Sequence, residues 1–309
     1  MAMNIEQLFK GLPNEKQREL RAQIDRFIKL KGIPRKTVTI EDVIKLPEGT
    51  LIHGTRVDEE TLSSIAESGI ITGQAFGIAE DGETYYCADF HRVNHDMSLA
   101  NYNDQFPYND GRCPFGKRGK YTLAFVLYPD ENLDEIASYD CYRDGTKSSA
   151  TTKEFVNMKA LPVKDTSLAS GVLFGIPSNF INGIILGDNF INEKIVKFLI
   201  EKFPGVFITR NSGEIIYKHG DNLEIVSERI KSIQRQIKLE EAEYQIGQRD
   251  NRLDMQKKET DKLWAAIATL PEEQIAAVYE QLGWQGDYME FARRLKEQHT
   301  PNNSTSAKL

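Results

Sequence analysis

This chain has few cysteines, no long apolar run and no excess of positive charge. Each shortage excludes something. The three cysteines stand at 87, 113 and 141 in 309 residues, without paired spacing. So sparse and odd a count excludes a disulfide framework and points to a reducing compartment. No apolar run approaches the roughly 20 residues that a membrane helix requires. Met1-Ala2-Met3-Asn4-Ile5 does not read as a charged-then-apolar leader. The expectation is therefore a cytoplasmic protein. A net charge of −7 argues against a scaffold built mainly to hold duplex DNA, although a local basic patch would still serve a transient nucleic-acid substrate. No internal repeat is visible, and no G-x-G-x-x-G follows a strand, so a dinucleotide-binding Rossmann unit is not supported.

What is present is a chain long enough for two or three compact units, with a 40% hydrophobic share that can fill a core. Residues 1–47 read as a helical arm, with Leu20, Ile24, Phe27 and Ile28 on one face. Residues 48–221 alternate strand and helix signals. These are strands over Thr50–His53, Glu83–Ala88, Tyr121–Leu127, Glu154–Leu161, Phe180–Leu186 and Val206–Thr209, and a hairpin through Asn211-Ser212-Gly213. Asp58–Ser68 reads as a helix stopped by Gly69, and Phe90–Tyr102 also reads as helical. Residues 222–298 turn charged and helical. Leu223, Val226, Ile230, Ile233 and Ile237 form a short heptad seam that fits either a dimer or docking on the preceding domain. Residues 299–309 read as a disordered tail; its final Ala307-Lys308-Leu309 is a weak match to a peroxisomal address.

Three apparent motifs are decoys. Gly111 to Lys117 has Walker A spacing, but Arg118 stands where a serine or threonine must ligate magnesium. The basic run Arg112, Lys117, Arg118 and Lys120 reads as a solvated loop. His91 and His95 share helical spacing without a third ligand, so no metal site is expected.

The informative stretch is Leu51–Tyr102. Leu51-Ile52-His53-Gly54-Thr55-Arg56 ends a strand. A glycine-rich turn, Gly73-Gln74-Ala75-Phe76-Gly77, follows, then Tyr85-Tyr86-Cys87-Ala88-Asp89 and Ala100-Asn101-Tyr102. This series resembles the ADP-ribosyltransferase superfamily in its diphtheria-toxin-like and poly(ADP-ribose)-polymerase-like branch, which carries a His-Tyr-Glu triad. Cys87 replaces the second aromatic of the family's tyrosine–aromatic–alanine–aspartate strand. Glu154-Phe155-Val156-Asn157 resembles its glutamate-led strand, and Ile176-Pro177 through Gly183-Ile184 its closing strand.

The resemblance implies an α+β fold with a split β-sheet cleft between N- and C-terminal helical segments, and NAD as substrate. It implies that His53, Tyr86 and Glu154 are catalytic, and that His53, Gly54, Thr55, Arg56, Tyr86 and Tyr102 hold NAD. In that reading His53 meets the adenosine ribose and Thr55 the nicotinamide ribose. Gly54 offers its backbone to the amide, and Tyr86 and Tyr102 sandwich the ring. Strand alternation lets only one of Tyr85 and Tyr86 face the cleft. Glu154 would stabilise the oxocarbenium-like transition state, with Glu135 and Glu214 as fallbacks.

The expected activity is mono-ADP-ribosyl transfer to a macromolecule, protein or nucleic acid, as in a bacterial or phage toxin or effector. An NAD-consuming RNA 2′-phosphotransferase and a non-enzymatic helical interaction protein are the rivals. Self-association or a protein partner at the C-terminal helices is a further expectation.

Overall fold

The computed structural model describes residues 5–41, 43–55, 59–72, 86–105, 123–140, 151–167, 169–281 and 287–299. Two compact units divide at Gln234 and Arg235, and each is taken alone. No described helix is long and apolar enough to cross a membrane.

The first unit opens with α1 (Asn14–Lys31), which buries Leu20, Ile24, Phe27 and Leu30, while Ile28, expected on that face, is exposed. Then come β1 (Lys45–Leu46), β2 (Leu51–Thr55), α2 (Glu59–Ser68), β3 (Ile70–Ile71), β4 (Cys87–Arg92), β5 (Met97–Ser98) and α3 (Leu99–Gln105). The middle holds β6 (Leu123–Leu127), α4 (Glu131–Asp134), β7 (Ala137–Asp140), α5 (Thr152–Asn157), β8 (Leu161–Pro162) and β9 (Ala169–Leu173). It closes with β10 (Gly175–Ile176), β11 (Gly183–Leu186), α6 (Glu193–Lys202), β12 (Phe207–Arg210), β13 (Ile215–Tyr217) and the start of α7 (Leu223–Ala268).

Nine strands form one mixed sheet in the order β13-β12-β11-β6-β2-β4-β9-β7-β8. Among the described residues only β11 and β12 run parallel, and α6 makes the crossover that a parallel pair requires. The protein is thus an α+β molecule. All five residues of β6 are fully buried, as expected of a strand covered on both faces.

Pleating puts Ile52, Gly54, Cys87, Asp89, His91, Tyr139 and Leu173 on one face of the sheet. Two apolar clusters stand there. One packs α1 through Leu20, Ile24 and Phe27 onto Tyr86, Cys87, Tyr139, Phe155, Leu173 and Phe174. The other joins Ile44, Leu46, Ile52, Tyr102, Val126, Ile185 and Phe207. Asp89 lies between them along β4. The N-terminal helix is therefore part of this core.

Two expected elements take another form. Glu154–Leu161 is not a strand: residues 152–157 coil into α5, started by a Thr151–Glu154 capping box. Phe90–Tyr102 is not one helix. β4 runs on to Arg92, and Leu99 begins α3 only after β5 has paired with β1.

Arg210 at the end of β12 is a buried cation. Its Nε donates to Asp188 Oδ1 at 2.7 Å, its Nη2 to Asp188 Oδ2 at 3.1 Å and its Nη1 to Glu214 Oε2 at 2.9 Å. Arg210→Ala takes the shared cation from two carboxylates that stay about one-third exposed, with Glu214 still accepting from Ser212 Oγ, and should cost about 2–3 kcal/mol. Urea unfolding measures this, and a loss under about 1 kcal/mol would show that the bridge is not holding the hairpin.

The expected heptad seam is docked. Val226, Ile230 and Ile233 are buried within the first unit, while Leu223 is 52% exposed. Ser227 Oγ donates to Glu193, and Gln234 Nε2 donates to the Ile191 carbonyl, fixing that face. The second unit contains the rest of α7, α8 (Glu272–Gln281) and α9 (Tyr288–His299). Ile267, Ile275, Phe291 and Leu295 form its own small core, with Trp264 and Tyr279 packed against it.

Candidate functional site: a fork in the sheet

The sheet is opened between its two central strands. β2 pairs with β6 along all five of its residues, and β4 pairs with β9 from Cys87 to His91. Between β2 and β4, however, the ladder holds only Leu51–Arg92 and Ile52–His91. Beyond Ile52 the two strands fork.

Register tells which backbone groups face the fork. Val93 N–H donates to Thr50 O, so Thr50 and every second residue after it turn their N–H and C=O toward β4. Gly54 is one of these. Its opposite number, Asp89, turns toward β2 in the same way. Gly54 and Asp89 are where the next ladder pair would form, and among the described residues that pair is not made. Instead, His53 Nδ1–H donates across the gap to the Asp89 carbonyl at 2.6 Å. Among the described residues, nothing meets the one donor and one acceptor that the Gly54 edge turns toward the fork.

Burial lowers the His53 pKa, against the opposing pull of the Asp89 carbonyl and carboxylate. The imidazole is neutral at pH 7, and its Nδ1–H bond places the lone pair on Nε2. The ring also lies against Phe90, with centroids 5.4 Å apart.

This burial has a consequence for stability. Below its ordinary value near 6.5, His53 in the unfolded chain takes up a proton that the folded protein refuses. The contribution is complete above that pH and is lost as pH falls toward the depressed folded value. His53→Gln should flatten the fall in stability between pH 7 and pH 5, read as urea midpoints at the two pH values. An unchanged slope would mean that other groups set it.

Tyr86 stands just before β4. Its side chain is fully buried, stacked on Phe155 at 4.5 Å and 21°, with its hydroxyl 3.2 Å from Thr152 Oγ1. Tyr102 is equally buried in the other cluster, its hydroxyl 2.9 Å from His91 Nδ1. The two tyrosines therefore belong to clusters on either side of Asp89. Both rings are spent on packing, which corrects the expectation that they form an open sandwich. The gain from burying a whole aromatic ring is the physical reason.

Glu154 is also placed differently from the expectation. It is on α5, two residues beyond the Thr152 that meets Tyr86. Its Oε2 accepts from Thr151 N–H at 2.8 Å and from Thr151 Oγ1 at 2.9 Å. That is a helix-capping role. The fallback carboxylates are engaged as well: Glu135 pairs with Lys164, and Glu214 with Arg210. The carboxylate that acts on His53 is that of Asp89, the last residue of the Tyr85–Asp89 stretch. Its only sequence signal is its place three residues after Tyr86.

Arg56, Tyr85, the turn at Gly73–Gly77 and the basic loop with Arg112, Lys117, Arg118 and Lys120 lie outside the described residues. His95 is exposed beside Asn94, and no metal-ligating cluster exists among the described residues. No protein-family model, curated protein or solved structure matches this chain.

Proposed function

We propose that this protein is a mono-ADP-ribosyltransferase that cleaves NAD at the nicotinamide–ribose bond and passes ADP-ribose to a macromolecule. One observation carries the reading: the unmade Gly54–Asp89 ladder pair beside a neutral His53. A primary carboxamide has the same donor–acceptor edge as a peptide. It completes the ladder by accepting from Gly54 N–H and donating to Gly54 C=O. A side chain at this position would crowd that approach, which suits glycine. His53 Nε2 accepts from a ribose hydroxyl, and Thr55, next along β2, offers its hydroxyl to the nicotinamide ribose.

In the reaction the glycosidic C1′–N bond breaks, and its electron pair leaves with nicotinamide. The acceptor's nucleophile bonds to C1′ and loses its proton. Positive charge builds on the ribose in between, and a carboxylate beside it lowers the barrier. Glu154 is assigned that role. Its helix is held next to Tyr86, and its carboxylate would exchange the Thr151 donors for the ribose 2′-hydroxyl.

The test is incubation of purified protein in cell lysate with NAD labelled on the adenylate phosphate, with protease and nuclease treatments run separately. Label that is sensitive to one treatment is expected, and it names the acceptor class. No label and no nicotinamide release by folded protein would overturn the proposal.

A further inference from the structure

Every residue from 238 to 263 of α7 is exposed. This stretch carries a regular apolar line: Leu239, Ile246 and Leu253 are 66%, 61% and 54% exposed. Their seven-residue spacing keeps them on one face, with a drift of about 20° per repeat. It is a different face from the buried Val226–Ile230–Ile233 seam.

We propose that this face pairs with the same face of a second copy, running antiparallel. Charge on the two flanks of the line selects both the occupant and the direction. One flank carries Glu243, Asp250 and Lys257; the other carries Lys238, Arg252 and Glu259. An antiparallel pair sets each flank against itself. Glu243 then meets Lys257 of the second copy, and Lys238 meets Glu259, each match made twice. Both matches fall in one register, with the twofold axis near Arg249 and Asp250 and with Ile246 packing beside Leu253. A parallel pair sets one flank against the other. It would match Lys238 with Glu243 but oppose Arg252 to Lys257. At the axis the antiparallel register brings the two copies of Asp250 together and the two copies of Arg249 together, and sets each Arg249 beside the Asp250 of the second copy.

The experiment is sedimentation velocity on the full chain across a micromolar concentration series, with circular dichroism to confirm helix content. A concentration-dependent dimer is expected. Ile246→Glu with Leu253→Glu should weaken it by about 100-fold, the equivalent of about 2.7 kcal/mol. Direction is read from single charge reversals. Lys257→Glu weakens an antiparallel dimer and strengthens a parallel one. Adding Glu243→Lys to it restores the antiparallel dimer. A wild-type monomer throughout the series overturns the proposal. So does a dimer indifferent to the Ile246 and Leu253 changes, or one that Lys257→Glu strengthens.

Discussion

Gly175→Ala should cost about 3–5 kcal/mol, a large loss for the addition of a single methyl group. Gly175 has φ +144, and a Cβ there would sit 2.1 Å from the Ile70 carbonyl oxygen and 2.6 Å from Ile71 Cα. Those are backbone atoms of β3, so no side chain can swing aside. The approach is close from both sides, because a Cβ on Gly69 would stand 2.4 Å from the Ile176 carbonyl. Next to Gly175, Phe174 adopts a left-handed φ of 68. That conformation aims its N–H at Tyr86 O and its C=O at Thr72 N–H, both at 2.8 Å. Its ring meets Phe27 of α1 edge-on at 5.0 Å. The crossing of β3 and β10 therefore fixes the entry to β4, and with it one lip of the fork. Urea unfolding of Gly175→Ala measures the cost. A loss below about 1 kcal/mol would mean that the backbone relaxes freely and the crossing does not brace the fork.

The second large effect concerns Glu154, where two roles can be separated by three variants. As a helix cap, Glu154 needs only an acceptor for the Thr151 N–H, which the glutamine amide oxygen also supplies. Glu154→Gln should therefore keep the fold, with its melting temperature little changed. As the charge beside the ribose cation, glutamine fails. NAD cleavage should drop by about 100- to 1,000-fold, the scale seen when an electrostatic partner of a transition state is removed. Thr151→Ala is the reverse probe. It removes a hydroxyl donor to the carboxylate and should cost about 1 kcal/mol of stability while cleavage continues. His53→Ala removes both the Asp89 carbonyl's partner and the Nε2 acceptor, and should also abolish cleavage. If Glu154→Gln turns over NAD at the wild-type rate, Glu154 is a cap alone, and Asp89 becomes the carboxylate to test.

Local pattern made some of this legible and hid the rest. The Leu123–Leu127 core strand and the Asn211–Gly213 hairpin follow from short-range signals; the apolar periodicity gives α1, but it puts Ile28 on the buried face where Leu30 stands instead. α5 was hidden because Glu-Phe-Val-Asn-Met reads as a strand by composition. The Thr151-x-x-Glu154 box one step upstream decides for helix, and that signal was present. The fork could not be read in advance. It depends on a ladder between strands that are distant in sequence stopping after two pairs, and a His-Gly-Thr strand end does not reveal where pairing ends. The roles of the two tyrosines were hidden for a related reason. Spacing brings Tyr86 and Tyr102 to opposite sides of Asp89, but only packing shows that both rings are buried. The seam from Val226 to Ile233 left docking and pairing open, and burial against the segment around Ile191 and Glu193 decides for docking.

The central claim is that the Gly54 edge of the fork receives the nicotinamide carboxamide. It is tested most directly by titrating ¹⁵N-labelled protein with NAD and following the Gly54 amide by NMR. A saturable shift at Gly54 and at Asp89, absent in His53→Ala and accompanied by free nicotinamide, is the predicted result. A Gly54 amide that does not move at saturating NAD, in folded wild-type protein, would contradict it.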